Sequence, residues 1–513
     1  MIELLLAASI AGAVGVLSVP LVIRVAQARG LLDRPDEGRR WHLVAVPRLG
    51  GIAVWLGAVA GFSTLLLAGG GTTPTDAQAR LAIAFLAGLA LTFAVGMYDD
   101  LRGLSPRGKF AAQCAAALIL VAGGFRLETI ALTSDVVLDL GWVGVPATLL
   151  WIVGVTNAFN LIDGLDGLAG GVAVIGLVAI GMASVLLGNP MVLALIVPLA
   201  AAVCGFLRYN VSPARIFLGD VGSLTLGLTL AVLTLEGTRR PDGAVFFPVA
   251  LCAVAFPLLD TFTAMLRRWL RGVPMTSADD RHVHHQLVAL GLSHRRAAAL
   301  IWLFAFSVAG FGLSVSLAPP AITLLVTGLG AAAFVLVIVH GAKWLHYHEF
   351  AEAQASFASG VRMARSVIRD RIRAREVANQ IRSAGSIEEI GLLLQDHTVA
   401  FGFESMALYS PESDTVRPLA PTYARRDLLR LEWPILAERG TRADDLLLCV
   451  AWRRNGAASS RYAERVVSIL APAIVDCLFS SSQREATSAA VIAEHAQLPV
   501  RKRRYNTASA GAR

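Results

Sequence analysis

The sequence predicts an all-α polytopic membrane protein with about eleven transmembrane helices and its N-terminus outside. A C-terminal cytoplasmic α+β domain follows. Three observations predict this. The 513 residues are 55% hydrophobic and 16% charged, with a mean hydropathy of +0.62, a balance foreign to soluble globules. Up to about residue 341, apolar residues come in blocks of roughly 17–25, long enough to cross a hydrocarbon core as helices. Between the blocks lie short runs rich in acids, amides and imidazoles, groups that are costly beside a bilayer and mark function there.

The blocks fall near 2–23, 50–69, 81–98, 109–125, 143–158, 169–187, 190–207, 222–237, 244–265, 297–317 and 320–341. Residues 2–23 read as a first membrane helix and not a cleaved signal peptide. No basic residue precedes them, and Arg24, Arg29, Arg34, Arg39 and Arg40 follow. With the N-terminus outside, the inner loops near 24–49, 99–108, 159–168, 208–221 and 266–296 carry most of the arginines. The outer loops carry Arg80, Arg126, Arg239 and Arg240. That asymmetry satisfies the positive-inside rule. It also places every acidic or His-rich motif on the cytoplasmic side.

The expected organisation is a transmembrane domain over 1–341, a basic helical linker over 342–384, a small α+β domain over 385–480 and a disordered basic tail over 481–513. The linker carries Arg362, Arg365, Arg369, Arg371, Arg373, Arg375 and Arg382, which suit either anionic headgroups or a solvated helix face. Ser386 is placed to cap a helix with Glu388 and Glu389 in its first turn. Strand-like runs follow at 405–410 and 446–452, then an apolar helix near 463–478. This helix–strand–helix pattern resembles a GAF-like sensor domain. The tail bears Arg501, Lys502, Arg503 and Arg504. The five cysteines, at 114, 204, 252, 449 and 477, form no CxxC pair, which speaks against a disulfide framework or zinc site.

Five motifs carry chemistry. Gly96-Met-Tyr-Asp99-Asp100 ends a span with adjacent carboxylates, which repel unless a cation lies near them; Mg²⁺ suits such hard oxygen ligands. Lys109 follows in a chain whose lysines are only Lys109, Lys343 and Lys502; an ammonium is a compact charge suited to phosphate. Asn157, Asn160, Asp163 and Asp166 lie at i, i+3 spacings within a glycine-rich run ending at Gly171. Amides and acids of this density suit ribose hydroxyls, base edges or a hydrated metal. Asp220 sits between Gly219 and Gly222 at the start of a span, where free N–H groups make a ready anion site; Ser223 is a candidate cap. Asp279, Asp280, Arg281, His282, His284 and His285 occupy the largest inner loop. Their spacing fits a phosphate- and sugar-binding loop better than a zinc site, because imidazole and guanidinium donate to acceptor-rich ligands. Asp260, inside a span, is flagged as a partner for Arg267 or Arg268.

These motifs, in this order, resemble the polyprenyl-phosphate N-acetylhexosamine-1-phosphate transferases. The run Asp33-Arg-Pro35, Arg39-Arg40-Trp-His42 and Pro47-Arg48-Leu-Gly50-Gly51 resembles the family's first cytoplasmic loop. The resemblance covers about residues 1–340. It implies transfer of a sugar 1-phosphate from a UDP-amino sugar, foremost UDP-GlcNAc, to a polyprenyl phosphate such as undecaprenyl phosphate, releasing UMP. That step initiates a cell-envelope polysaccharide at the bacterial inner membrane. Mg²⁺ is the implied cofactor, with Mn²⁺ as an alternative ion, and a homodimer is a compatible assembly; nucleic acid is not an implied partner. Asp99 and Asp100 would stand beside the lipid phosphate, Asp220 with Asp99 at the metal, and Lys109, Asp163 and Asp166 in the catalytic set. Asn157 and Asn160 would join Asp163 and Asp166 at the nucleotide, with Arg281, His282, His284 and His285 at the sugar and diphosphate. The rival reading is a secondary transporter, which predicts inverted repeats and charges near the bilayer midplane; no repeat is visible.

Overall fold

The computed structural model describes residues 1–33, 45–68, 75–133, 135–271, 273–274, 281–345, 365–409, 428–435, 447–453 and 462–478. His42, Asp279, Asp280 and the basic tail lie outside the described residues. The chain forms two compact units. One comprises Met1–Arg268 with Pro274–His346, the other Trp269–Val273 with Tyr347–Arg513.

The first unit is helical. Its elements are α1 (Ile2–Ala28), α2 (Gly50–Ala68), α3 (Asp76–Arg102), α4 (Pro106–Gly123), α5 (Gly144–Ile162), α6 (Leu168–Leu186), α7 (Leu193–Asn210), α8 (Gly219–Gly237), α9 (Phe247–Ala253), α10 (Ala255–Arg271), α11 (Val283–Ala289), α12 (His294–Leu317) and α13 (Pro320–Trp344). Several starts are written locally. Thr75 and Gln78 form a reciprocal capping box at α3. Ser105 caps α4, with Pro106 in its first turn.

Among the described residues, nine helices are long and apolar enough to cross a membrane, or ten if α9 and α10 count as one broken span. Two differences from expectation have local causes. The span expected over 109–125 is an 18-residue helix, α4, but is not among the nine; its opening Pro-Arg-Gly-Lys dilutes its apolar content. The span expected over 244–265 is not continuous. Strand Val245–Phe246 leads into α9, and α10 departs from α9 at 75°. In an unbroken helix the Pro257 ring would clash with the carbonyl of residue 253. The break at Val254 moves Pro257 into the first turn of α10, where its missing N–H costs nothing.

Helix α8 is the hub. It packs on α2, α3, α5 and α6 and its apolar stretch is 83% buried, so its Thr225 and Thr234 hydroxyls need internal partners. Trp55 Nε1 donates to Thr225 at 2.6 Å and Trp151 Nε1 to Thr234 at 3.0 Å. Close approach to the start of α8 requires glycine. A Cβ on Gly96 would lie 2.7 Å from the Asp220 carbonyl oxygen. At the opposite end of α8, β1 (Thr129–Ala131) pairs antiparallel with β2 (Val137–Asp139) and parallel with β3 (Val245–Phe246).

The second unit holds helix Arg365–Ser383, helix Ile387–His397, helix 462–478 and an antiparallel sheet ordered Ser405–Tyr409, Leu447–Arg453, Leu428–Pro434. Ser386 caps its helix by accepting from Glu389 N, and the Glu389 carboxylate accepts from Gly385 N at 2.7 Å. The arginine-rich helix has a second, apolar face. Ala374, Val377, Ala378 and Ile381 join Leu448, Val450, Val467 and Leu470 in one core. Strand Leu428–Pro434 has no counterpart among the expected elements; its pairing with Leu447–Arg453 brings distant segments together.

Candidate active site

The motifs separated along the chain meet at one end of the first unit. The C-terminal end of α3 supplies Asp99 and Asp100, the first turn of α4 supplies Lys109, the last two turns of α5 supply Asn157 and Asn160, and the first turn of α8 supplies Asp220.

Lys109 bridges two acids. Its Nζ pairs with the buried Asp99 and donates to Asp220 Oδ2 at 3.0 Å. Asp220 also accepts from Asn160 Nδ2, and that amide reaches Ser223 Oγ at 2.9 Å. Ser223 therefore lies inside α8 and binds Asn160; it does not cap the helix. Asn157, one turn earlier on α5, is half-buried and makes no side-chain hydrogen bond among the described residues.

Asp99 and Asp100 are adjacent in the chain, yet the fold gives them different partners. Asp100 turns its oxygens onto the backbone N–H groups of Asp220 at 2.9 Å and Val221 at 3.0 Å. The anion expected at the N-terminus of α8 is thus the protein's own carboxylate. Hydrogen bonds to a charged acceptor contribute about 1.5–3 kcal/mol each, so Asp100 ties α3 to α8 and sets where Asp220 points. Each of its two oxygens accepts one of these backbone hydrogen bonds.

Asp163 terminates α5, beyond the helical span. Desolvation pushes its carboxyl well above the usual carboxylate range, and the charges of Asp220 and Asp100 add to the rise. Asp166 accepts from Ala214 N at 3.1 Å, and Gly167 N donates to Asn210 Oδ1 at 3.1 Å. Asn210 in turn donates to the Ile216 carbonyl at 2.8 Å. Together they bind the 163–167 loop to the 211–218 segment. Asn210 was not singled out by the motifs. Its one signal in sequence is an amide closing an apolar span, a polar group that needs a partner.

Gly50 and Gly51 donate their N–H groups to the carbonyls of Phe217 and Leu218 at 2.9 and 2.8 Å, and Phe217 N donates to the Pro47 carbonyl at 2.8 Å. Arg48, between them, is half-buried. The described part of the first-loop motif thus holds the segment leading into Asp220.

The imidazoles arrive from α11. His282 and His284 are 4% and 1% exposed, and Arg281 and His285 are half-buried. The His284 and His285 rings lie 4.2 Å apart between centroids. A Cβ placed on Gly164 would lie 2.8 Å from His284 Nε2, so this loop packs directly on the Asp163–Asp166 turn. Because His284 is enclosed, it cannot swing clear of a new methyl group. Gly164→Ala is expected to lower turnover on the order of a hundredfold with little change in thermal unfolding, since small misplacements of reacting groups carry costs of that size. A steady-state rate within about threefold of wild type would show that this contact is not needed.

The fold and site define an integral membrane protein that collects carboxylates, amides, a lysine and imidazoles at one end of its helices. Residues 82–238 match the family described as glycosyl transferase family 4. A probable undecaprenyl-phosphate N-acetylglucosaminyl 1-phosphate transferase of Bacillus subtilis (strain 168) is 39% identical over 290 residues, covering 56% of this chain and 78% of that protein. A decaprenyl-phosphate N-acetylglucosaminephosphotransferase of Mycolicibacterium smegmatis is 34% identical over 61% of this chain and 83% of its own. An undecaprenyl-phosphate alpha-N-acetylglucosaminyl 1-phosphate transferase of Escherichia coli (strain K12) is 29% identical over 56% and 78%. The chain belongs to glycosyl transferase family 4.

Proposed function

We propose that this protein transfers N-acetylglucosamine 1-phosphate from UDP-GlcNAc to a polyprenyl phosphate such as undecaprenyl phosphate, releasing UMP and starting a cell-envelope polysaccharide. The carrying observation is the convergence of Asp99, Lys109, Asn160, Asp163 and Asp220 at one end of a membrane bundle, with the imidazole loop packed on Gly164. The names of the relatives support the same reaction and do not favour a transporter. The arginine asymmetry supports eleven spans, the N-terminus outside, and both the site and the C-terminal α+β domain in the cytoplasm. There a soluble nucleotide and a lipid phosphate can reach one site.

Phosphoryl transfer demands placement and charge neutralisation more than covalent help. Lys109 supplies a cation between Asp99 and Asp220. Asp99, held by that lysine, stands for the lipid phosphate's neighbourhood. Asn157 offers its amide to the nucleotide, and His282, His284, His285 and Arg281 offer donors to the diphosphate and sugar. Asp166 and Asn210 keep the 163–167 turn in place, and Asp100 orients Asp220.

Mg²⁺ fits this donor set. Among the described residues no three His, Cys, Asp or Glu side chains could hold a metal by themselves, but Mg²⁺ uses one or two carboxylates and fills its shell with water and substrate phosphates. Asp220, with Asp99 across Lys109 from it, would hold it; when bound, it would neutralise the donor diphosphate.

The test is incubation of the purified full chain with UDP-GlcNAc and undecaprenyl phosphate, with and without Mg²⁺. Release of UMP that needs both the lipid and the ion supports the assignment. Parallel assays with UDP-GalNAc and other UDP-amino sugars identify the preferred donor, and no UMP from any of them would end the proposal.

A further inference from the structure

Asp260 is a carboxylate with no exposed surface, set in α10 six residues after the helix break. A buried charge must be paired and hydrogen-bonded. Its partners are not the arginines of its own helix that the sequence suggested. Oδ2 lies 2.9 Å from His282 Nδ1, and Oδ1 accepts from Val283 N at 2.8 Å. The same Oδ2 is 3.7 Å from His284 Nδ1. One side chain thus grips the first residues of the imidazole loop through a ring nitrogen and a backbone N–H. The 75° turn between α9 and α10 sets the direction of the helix that carries it.

We propose that Asp260 is a positioning residue for sugar-diphosphate binding, holding a proton on His282 Nδ1 and fixing the loop so that His282 presents Nε2 to the ligand. The inference rests on the function proposed above and deepens it. A carboxylate against Nδ1 decides which ring nitrogen carries the proton. Only Nε2 is then left for a ligand. His284 is carried along: held near the same carboxylate on one side, it meets Gly164 on the other. Asp260 touches no reacting atom in this scheme and acts through the imidazoles. Carboxylates that orient metal-ligating histidines contribute about 10–100-fold to affinity or activity, and an effect of that order is expected of Asp260.

Asp260→Asn is the discriminating variant. It keeps the volume and an oxygen for Val283 N, but removes the charge and can present an N–H to Nδ1. With the full chain, kcat/KM for UDP-GlcNAc is expected to fall at least about tenfold while KM for undecaprenyl phosphate stays within about twofold. In a His282→Ala background the same substitution is expected to add less than about twofold, because its effect passes through that ring. Equal losses toward both substrates, an undiminished effect without His282, or wild-type kinetics would each overturn the proposal. A measurement on the wild-type protein needs neither activity nor a stable Asp260 variant. In ¹⁵N-histidine-labelled full chain, with His282 assigned by its loss in His282→Ala, Nδ1 is expected to be protonated. A bare Nδ1 overturns the inference even if turnover is normal. A protonated Nδ1 in a chain that releases no UMP leaves the Asp260–His282 pairing standing and places the failure in the functional assignment.

Discussion

Asp220→Asn is expected to reduce UMP release by at least about a thousandfold while the protein remains folded. The carboxylate is the meeting point of three elements. It accepts from Lys109 on α4 and from Asn160 on α5 while standing in the first turn of α8. An asparagine keeps the size but loses the charge, and it must turn an N–H toward one of two donors. The helix start itself survives, because Asp100 binds the backbone N–H groups of residues 220 and 221 and not the side chain. Turnover and detergent-resistant thermal unfolding should therefore separate: the first collapses and the second shifts little. A variant that retains more than about a tenth of wild-type activity would remove Asp220 from its assigned place at the metal and diphosphate.

Lys109→Met is expected to cost on the order of a hundredfold in turnover and to lower thermal stability as well. Methionine preserves the stem and removes the ammonium that lies between Asp99 and Asp220. Two carboxylates then face each other across a partly buried gap, with Asp100 and Asp163 adding to the crowding. Lys109 is 23% exposed and Asp99 5%, so solvent relieves only part of that repulsion. Adding Asp99→Asn to Lys109→Met should restore stability without restoring turnover. If the double variant is no more stable than Lys109→Met, repulsion between these acids is not what the lysine offsets. Recovery of activity in it would show that Lys109 serves only to neutralise Asp99.

Much of the site was legible because the chemistry is expensive. Acids, amides and imidazoles beside apolar blocks are rare without a function, so Asp99, Lys109, Asn160, Asp163, Asp220 and the histidines stood out one by one. Their partners did not. Asp99 and Asp100 look alike as neighbours in a chain, yet consecutive helical residues point about 100° apart. One meets Lys109, the other a helix end more than a hundred residues away. Asp260 and Asn210 were hidden for a related reason. Each is a lone polar residue near an apolar run, and only the segment folded against it distinguishes a positioning role from a local ion pair. The broken helix at Val254 could have been found in advance: Pro257 forbids the continuous span that hydropathy alone suggests.

What the sequence determined by itself was the sort of molecule this is: its apolar periodicity, the polar runs between spans and the asymmetry of its arginines. Those signals are local, set by the cost of placing each residue in hydrocarbon, so they can be read along the chain. The tertiary structure decided which polar group faces which. Asp100 capping α8, Lys109 between two acids and Asp260 gripping His282 all join residues distant in sequence. Hydrogen bonds and ion pairs act over a few ångströms, and only packed helices bring such groups that close.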